Sequence, residues 1–144
     1  MSGQLIDAVY MTLKQDEEFM SMIGLATSST QEEVTQKIVR GMEPEQALTG
    51  DSVPQALIYI KPGRYSRNDQ VYEGKFCIDL YAKNTAQARG LAQRIFELIH
   101  DREIAGPGFY SFRAFLAYDA DFATGITGVK GYCVMYDVDY IRAN

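Results

Sequence analysis

From Gly131 to Arg142 the chain alternates without a break, with Tyr132, Val134, Tyr136, Val138 and Tyr140 falling between Cys133, Met135, Asp137 and Asp139. Successive side chains of an extended strand point to opposite faces. The spacing therefore predicts a closing strand with one aromatic and β-branched face and one mixed, partly acidic face. Phe76, Ile78 and Leu80 alternate with Cys77, Asp79 and Tyr81 in the same way, within a strand expected from Val71 to about Lys83. Gln55 to Lys61 reads as a short apolar strand before it. Phe109 to Asp119 reads as another, reached through the turn Gly106-Pro107-Gly108.

Other segments follow the helical period. Leu5, Ile6, Val9, Tyr10 and Leu13 form an apolar stripe, and Asp16 to Met22 adds a turn or two that Gly24 ends. Ser29 and Thr30 each precede a glutamate by three positions, a capping-box spacing that predicts a helix through Arg40 with Val34, Ile38 and Val39 buried. Gly41 to Pro54 has little periodicity and reads as a surface connection. Asn84 is a good N-cap with Gln87 at the capping-box position. Ala88, Leu91, Ala92, Ile95 and Ile99 then make the stripe of a helix to about His100. These elements predict one domain over residues 1–144, with helices in 1–50 and a β-β-α-β-β unit in 55–142. The expected class is α+β, a mostly antiparallel four-stranded sheet with helices packed on one face.

Composition changes this picture little. The chain has 144 residues, enough to bury about 70% of the surface its unfolded form exposes. Hydrophobic residues at 47% and charged residues at 23% are those of a globular protein, and no apolar run approaches the roughly 20 residues of a membrane span. The N-terminus lacks the pattern of a secretory signal, so synthesis and use in cytoplasm are expected. A net charge of −5, with only Lys61, Arg64 and Arg67 close together, argues against tight binding to nucleic acid.

Candidate chemistry is sparse. His100 is the lone histidine and, at a helix end, can serve the macrodipole or cap a carbonyl. No serine or cysteine stands in a nucleophile-elbow motif. Cys77 and Cys133 lack metal-ligand spacing and read as two semi-buried thiols rather than a disulfide or metal site. Asp119 with Asp121, and Asp137 with Asp139, put paired carboxylates on one strand face. Such pairs could hold calcium or supply an acid and a base, but a solvated sheet face is the simpler reading. Gly125, Gly128 and Gly131 are followed by no phosphate-loop Lys-Ser or Lys-Thr pair and read as turn and edge glycines. No catalytic, metal or cofactor-binding residue is assigned, no cofactor is expected, and the chain is not expected to be an enzyme.

The tip from Pro62 to Tyr72 differs, because it gathers Arg64, Tyr65, Arg67, Asn68, Asp69 and Tyr72 in a segment longer than a minimal hairpin needs. Tyrosine and arginine supply contact area and directional hydrogen bonds at interfaces. The tip is either a partner surface or an ordinary mobile hairpin. The candidate interface set is Arg64, Tyr65, Arg67, Asp69 and Tyr72, with Asp121 and Phe122 where the chain leaves the third strand.

A helical N-terminus, a Pro-bounded connection, the handover Tyr72-Glu-Gly-Lys-Phe-Cys-Ile-Asp-Leu-Tyr-Ala-Lys-Asn into a helix, and the ending Tyr132-Cys-Val-Met-Tyr-Asp-Val-Asp-Tyr resemble the tail terminator proteins of long-tailed bacteriophages, also called tail completion or tail-to-head joining proteins. The resemblance covers most of the chain in size and element order, and no individual family residue is carried over. It implies a non-enzymatic ring, commonly a hexamer, that caps the tail tube and docks to the head-side connector. The protein would belong to the virion, at the head-tail junction, after assembly in host cytoplasm. Expected partners are further copies of the chain, the tail-tube protein and a head-completion or connector protein. The genome would slide past an acidic ring without being gripped, and no membrane is involved. Two other readings stand beside it: a head-completion or minor capsid neck protein, and a small dimeric ligand-binding regulatory α+β module.

Overall fold

The computed structural model describes residues 2–26 and 28–142. Its elements are α1 (Ser2–Lys14), α2 (Glu17–Met22), α3 (Gln31–Lys37), β1 (Ile38–Arg40), β2 (Gln55–Tyr65), β3 (Val71–Ala82), α4 (Thr85–Ile99), β4 (Arg102–Gly106), β5 (Phe109–Phe122) and β6 (Lys130–Ile141). The closing strand β6 lies inside the sheet, antiparallel to β3 on one side and to β5 on the other. The strand order is β1-β2-β3-β6-β5-β4.

The sheet is thus six-stranded, mixed and curled, not the four-stranded, mostly antiparallel sheet expected. Both additional strands are short and stand at the edges. β1 takes the end of the segment read as helix to Arg40. The helix does start on the expected box, with Thr30 Oγ1 accepting from Glu33 N and Glu33 Oε1 accepting from Thr30 N, both at 3.2 Å. It stops at Lys37 because Ile38 and Val39, β-branched and buried, pair in parallel with Ala56 and Leu57. β4 has one deeply buried apolar side chain, Ile104, and a register shift against β5, so it carries no alternation to read.

The even-numbered residues of β3 and β6 meet the helices. Phe76 stacks on Tyr136 with ring centroids 5.5 Å apart, and Ile78, Leu80, Val134, Val138 and Tyr140 are buried around them. α4 presents the expected stripe, Ala88, Leu91, Ala92, Ile95 and Ile99, to this layer. Asn84 Oδ1 accepts from Gln87 N at 2.8 Å, while Gln87 reaches back to Lys83 N. α1 lies so close to β4 that a Cβ on Gly106 would sit 2.9 Å from Ala8 Cβ, so only glycine fits there.

α2 is pinned to α4 by charge. Asp16 caps α2 by accepting from Phe19 N at 2.8 Å and receives Arg94 Nε and Nη2 at 2.8 and 2.7 Å. The Arg94 hydrogen bonds, outweighing burial, hold the Asp16 carboxyl below its ordinary value of 3.8. A carboxyl depressed in the folded state gives stability that is full above its unfolded pKa and is lost as pH falls through the folded one. Thermal melts from about pH 5 down to about pH 2 are expected to show Asp16→Asn below the native chain at the upper end. The gap closes at the lower end, since asparagine keeps the cap but not the charge. A gap that is constant with pH would show that the ion pair contributes nothing.

Candidate functional site

The tip is a structured hairpin. β2 does not stop at Lys61 but continues past Pro62 and Gly63, with a register shift between Lys61 and Arg64, to pair Arg64 with Glu73 and Tyr65 with Tyr72. Proline is tolerated because β1 pairs with β2 only at Ala56–Ile58, which leaves this part of β2 on the sheet edge. Gly63 is required because a Cβ there would lie 2.4 Å from the Glu73 carbonyl oxygen. The loop shrinks to residues 66–70, closed by Ser66 N donating to Val71 O and Val71 N to Asn68 O, each at 2.9 Å. Arg142 N donates to Gln70 O at 2.8 Å and ties the loop to the end of β6.

An aromatic ladder supports the tip. The Tyr65 ring meets Tyr72 edge-on at 5.2 Å, Tyr72 lies 5.5 Å from Tyr140, and the Arg142 guanidinium sits 4.6 Å over Tyr72. Arg64, whose side chain is 83% exposed, reaches Glu73 at 3.4 Å, and Arg67 and Asp69 are exposed.

Asp121 and Phe122 are not part of this cluster. They pair with Tyr132 and Gly131 at the opposite end of β6, about 27 Å away at strand rise. Asp121 accepts from Arg89 Nη2 at 2.7 Å, and Phe122 packs edge-on against Tyr81 at 5.5 Å. The expected set therefore divides into two surfaces at opposite ends of the sheet.

The carboxylate pairs separate by environment. Asp119 accepts from the Tyr132 hydroxyl at 2.6 Å, which pushes that phenol up to about 12, and its neighbour Asp121 is held by Arg89. On the other face of the sheet Asp137 pairs with Lys75. Burial, then the charges of Glu73 and Asp137, push the Asp139 carboxyl above its ordinary value. Among the described residues no three metal-capable side chains converge. His100 accepts from Leu116 N through Nδ1 at 3.0 Å and stacks on Phe96 at 4.3 Å, a strand-capping role. Cys77 and Cys133 are unbridged. The Cys133 thiol is pushed up by its contact with Cys77, by burial and by Asp79. No helix among the described residues is long and apolar enough to cross a membrane.

A patch outside the expected set stands out. Tyr110, Phe112, Phe115 and Tyr118 of β5 are 65, 52, 48 and 54% exposed. A cleft of about 480 Å³ opens beside them on the face away from the helices, lined by Glu103, Phe112, Arg113, Phe115, Asp137 and Asp139. Its signal in the sequence is aromatic residues at both parities of one strand, Phe109 and Tyr110, Phe112 and Phe115, which cannot all face one core.

Neither a family model nor a curated protein matches the chain. Among solved structures, the fold is similar to that of a chain in the virion of a native gene transfer agent (GTA) particle. The TM-score is 0.67 at 12% sequence identity, over 98% of this chain and 97% of that one. At that identity the likeness is one of fold.

Proposed function

We propose that this chain is a non-enzymatic virion assembly protein that closes the tail tube as an oligomeric ring, with six copies the expected number, and joins the tail to the head. The observation that carries this reading is a fold shared along nearly the whole length of both chains with a component of a virion particle. The β-β-α-β-β order behind the terminator resemblance is retained within that fold, with β4 added after the helix. Two further features fit a docking protein: a hydrogen-bonded tip presenting Arg64, Tyr65 and Arg67, and exposed aromatic rings along β5. The ring would meet tube protein below and a connector above, and its net charge of −5 suits a passage that must not hold the genome.

Mass in solution and negative-stain images, with and without purified tail tubes, test the reading. Rings seated on tube ends are the expected result. A chain that stays monomeric and ignores tubes overturns it, and binding to head connectors but not to tubes would make it a head-completion protein instead. Arg67→Glu is expected to reduce the fraction of capped tubes while leaving the melting temperature within about 2 °C, because surface changes of this kind cost within about 0.5 kcal/mol.

A further inference from the structure

The face of the sheet away from the helices is polarised from side to side. In one cross-strand row Arg64 of β2 pairs with Glu73 of β3, and Glu73 with Asp139 of β6. In the next row Lys61, Lys75 and Asp137 follow one another, continued by Phe115 of β5. The basic ends of both rows lie at β2, which has no strand beside it beyond Ile58 on the β1 side among the described residues. The acidic and aromatic ends lie at β6 and β5, where the cleft of Phe112, Phe115 and Asp139 opens. On the β4 side β5 has no strand beside it from Phe115 onward, whereas Phe112 lies within the part of β5 that pairs with β4.

The charges of the two flanks are unequally satisfied within one chain. Lys75 meets Asp137, and Asp101 draws Arg113 aside at 3.3 Å. The side chains of Asp139 and Glu103 make no ion pair or hydrogen bond among the described residues. Lys61 makes no ion pair or hydrogen bond among the described residues, and its ammonium lies 5.6 Å from the Tyr59 ring. Within its own chain Arg64 is taken by Glu73 at 3.4 Å, the residue that stands between it and Asp139 in the row.

We infer that the basic β2 flank of one copy, through Arg64 and Lys61, docks on the acidic, aromatic cleft at the β5 flank of a second copy of this chain, Arg64 facing Asp139, Phe112 and Phe115. This rests on the ring reading above and names the side-to-side contact that would close the ring. Three observations favour a second copy as the occupant. The surfaces lie on the same face and at the same level along the strands, so a neighbour whose β2 flank overlaps the β4–β5 flank on that face brings them together without turning its sheet over. They are different surfaces of one chain, so the contact is heterologous and repeats around a closed ring. They are also complementary, a guanidinium and an ammonium against carboxylates and open aromatic faces, whereas chains of net charge −5 otherwise repel one another. A cation brought against Asp139 relieves the crowding of negative charge there, which favours the ionised carboxylate.

The test is a charge exchange on the full chain. Arg64→Glu, Asp139→Lys and the two combined are compared with the native protein by sedimentation across concentration and by ring counts on purified tail tubes. Melting temperatures verify that each variant folds. Each single reversal is expected to weaken self-association on the order of a hundredfold by setting like charges together. The combination restores most of it, because every contact in the ring then carries the reversed pair. Phe112→Ala weakens assembly without changing its salt dependence. If a reversal disturbs folding, Arg64→Gln and Asp139→Asn probe the same contact with a smaller change. Rings that tolerate both single reversals, or a combined variant no better than its parents, overturn this contact and leave the ring reading standing. A native chain that forms no rings in solution or on tubes removes both.

Discussion

Phe76→Ala is expected to lower the unfolding free energy by about 3–5 kcal/mol, the range for truncating a fully buried aromatic residue. Phe76 has no exposed surface, stands in the central strand β3 and stacks on Tyr136. The space left by the ring is bounded by strands on both sides and by helices above, so little can collapse into it. For a chain of this length the loss corresponds to a fall in melting temperature of about 10–15 °C. A calorimetric shift of only a few degrees would mean that the helix layer closes over the cavity and is less firmly set than its burial implies.

Tyr140→Ala is expected to cost a similar amount, about 3–5 kcal/mol, with a different local consequence. Tyr140 is buried, meets Phe109 edge-on at 5.1 Å and lies under Tyr72, which in turn supports Tyr65. Truncating it removes the foot of that aromatic ladder. Hydrogen exchange in residues 66–72 should therefore accelerate in Tyr140→Ala but hardly in Phe76→Ala, at matched distance below each variant's melting temperature. Tube capping should fall more steeply in Tyr140→Ala for the same reason. Equal exchange at the tip in the two variants would show that backbone hydrogen bonds alone hold the hairpin.

The central strands and α4 were legible in the sequence because each obeys one period without interruption. In Phe76–Leu80 and Tyr132–Tyr140, one parity is apolar and faces helices, and the Ala88–Ile99 stripe follows an asparagine cap. Legibility failed where that condition fails. β5 has two register shifts against β6, so its inward side changes parity along the strand, from Phe109 and Ser111 to Ala114 and Leu116 and then to Asp119 and Asp121. A fixed period cannot follow this, and the strand was read three residues short. Ile38–Arg40 is too short for any periodic signal, and its identity as a strand depends on a parallel partner lying fifteen or more residues later. The tip was visible as a group of residue types, but its pairing was hidden by Pro62, which normally argues against a strand and is tolerated here only by an edge.

The interface set was partly legible. Composition located the arginines and tyrosines of the hairpin, yet Asp121 and Phe122 belong to the other end of the sheet, and the exposed rings of β5 lay outside the expected set. An aromatic residue looks the same in sequence whether it faces helices or open solvent. The distinction is made by which sheet face is covered, a tertiary fact.

The pairing of β3 with β6 also sets the order of events in folding. Phe76 meets Tyr136 some sixty positions further along the chain, and α4, β4 and β5 all lie between them. The middle of the sheet is therefore closed by β6, which follows the other strands of this sheet in sequence, after a long loop has been brought together at its entropic cost. Until then β2–β3 and β4–β5 exist as separate hairpins whose inner edges are open to other nascent chains. Slow refolding is the expected kinetic signature, with losses to aggregation that grow with protein concentration. Copies are thereby kept from presenting a complete outer face until β6 has docked between β3 and β5.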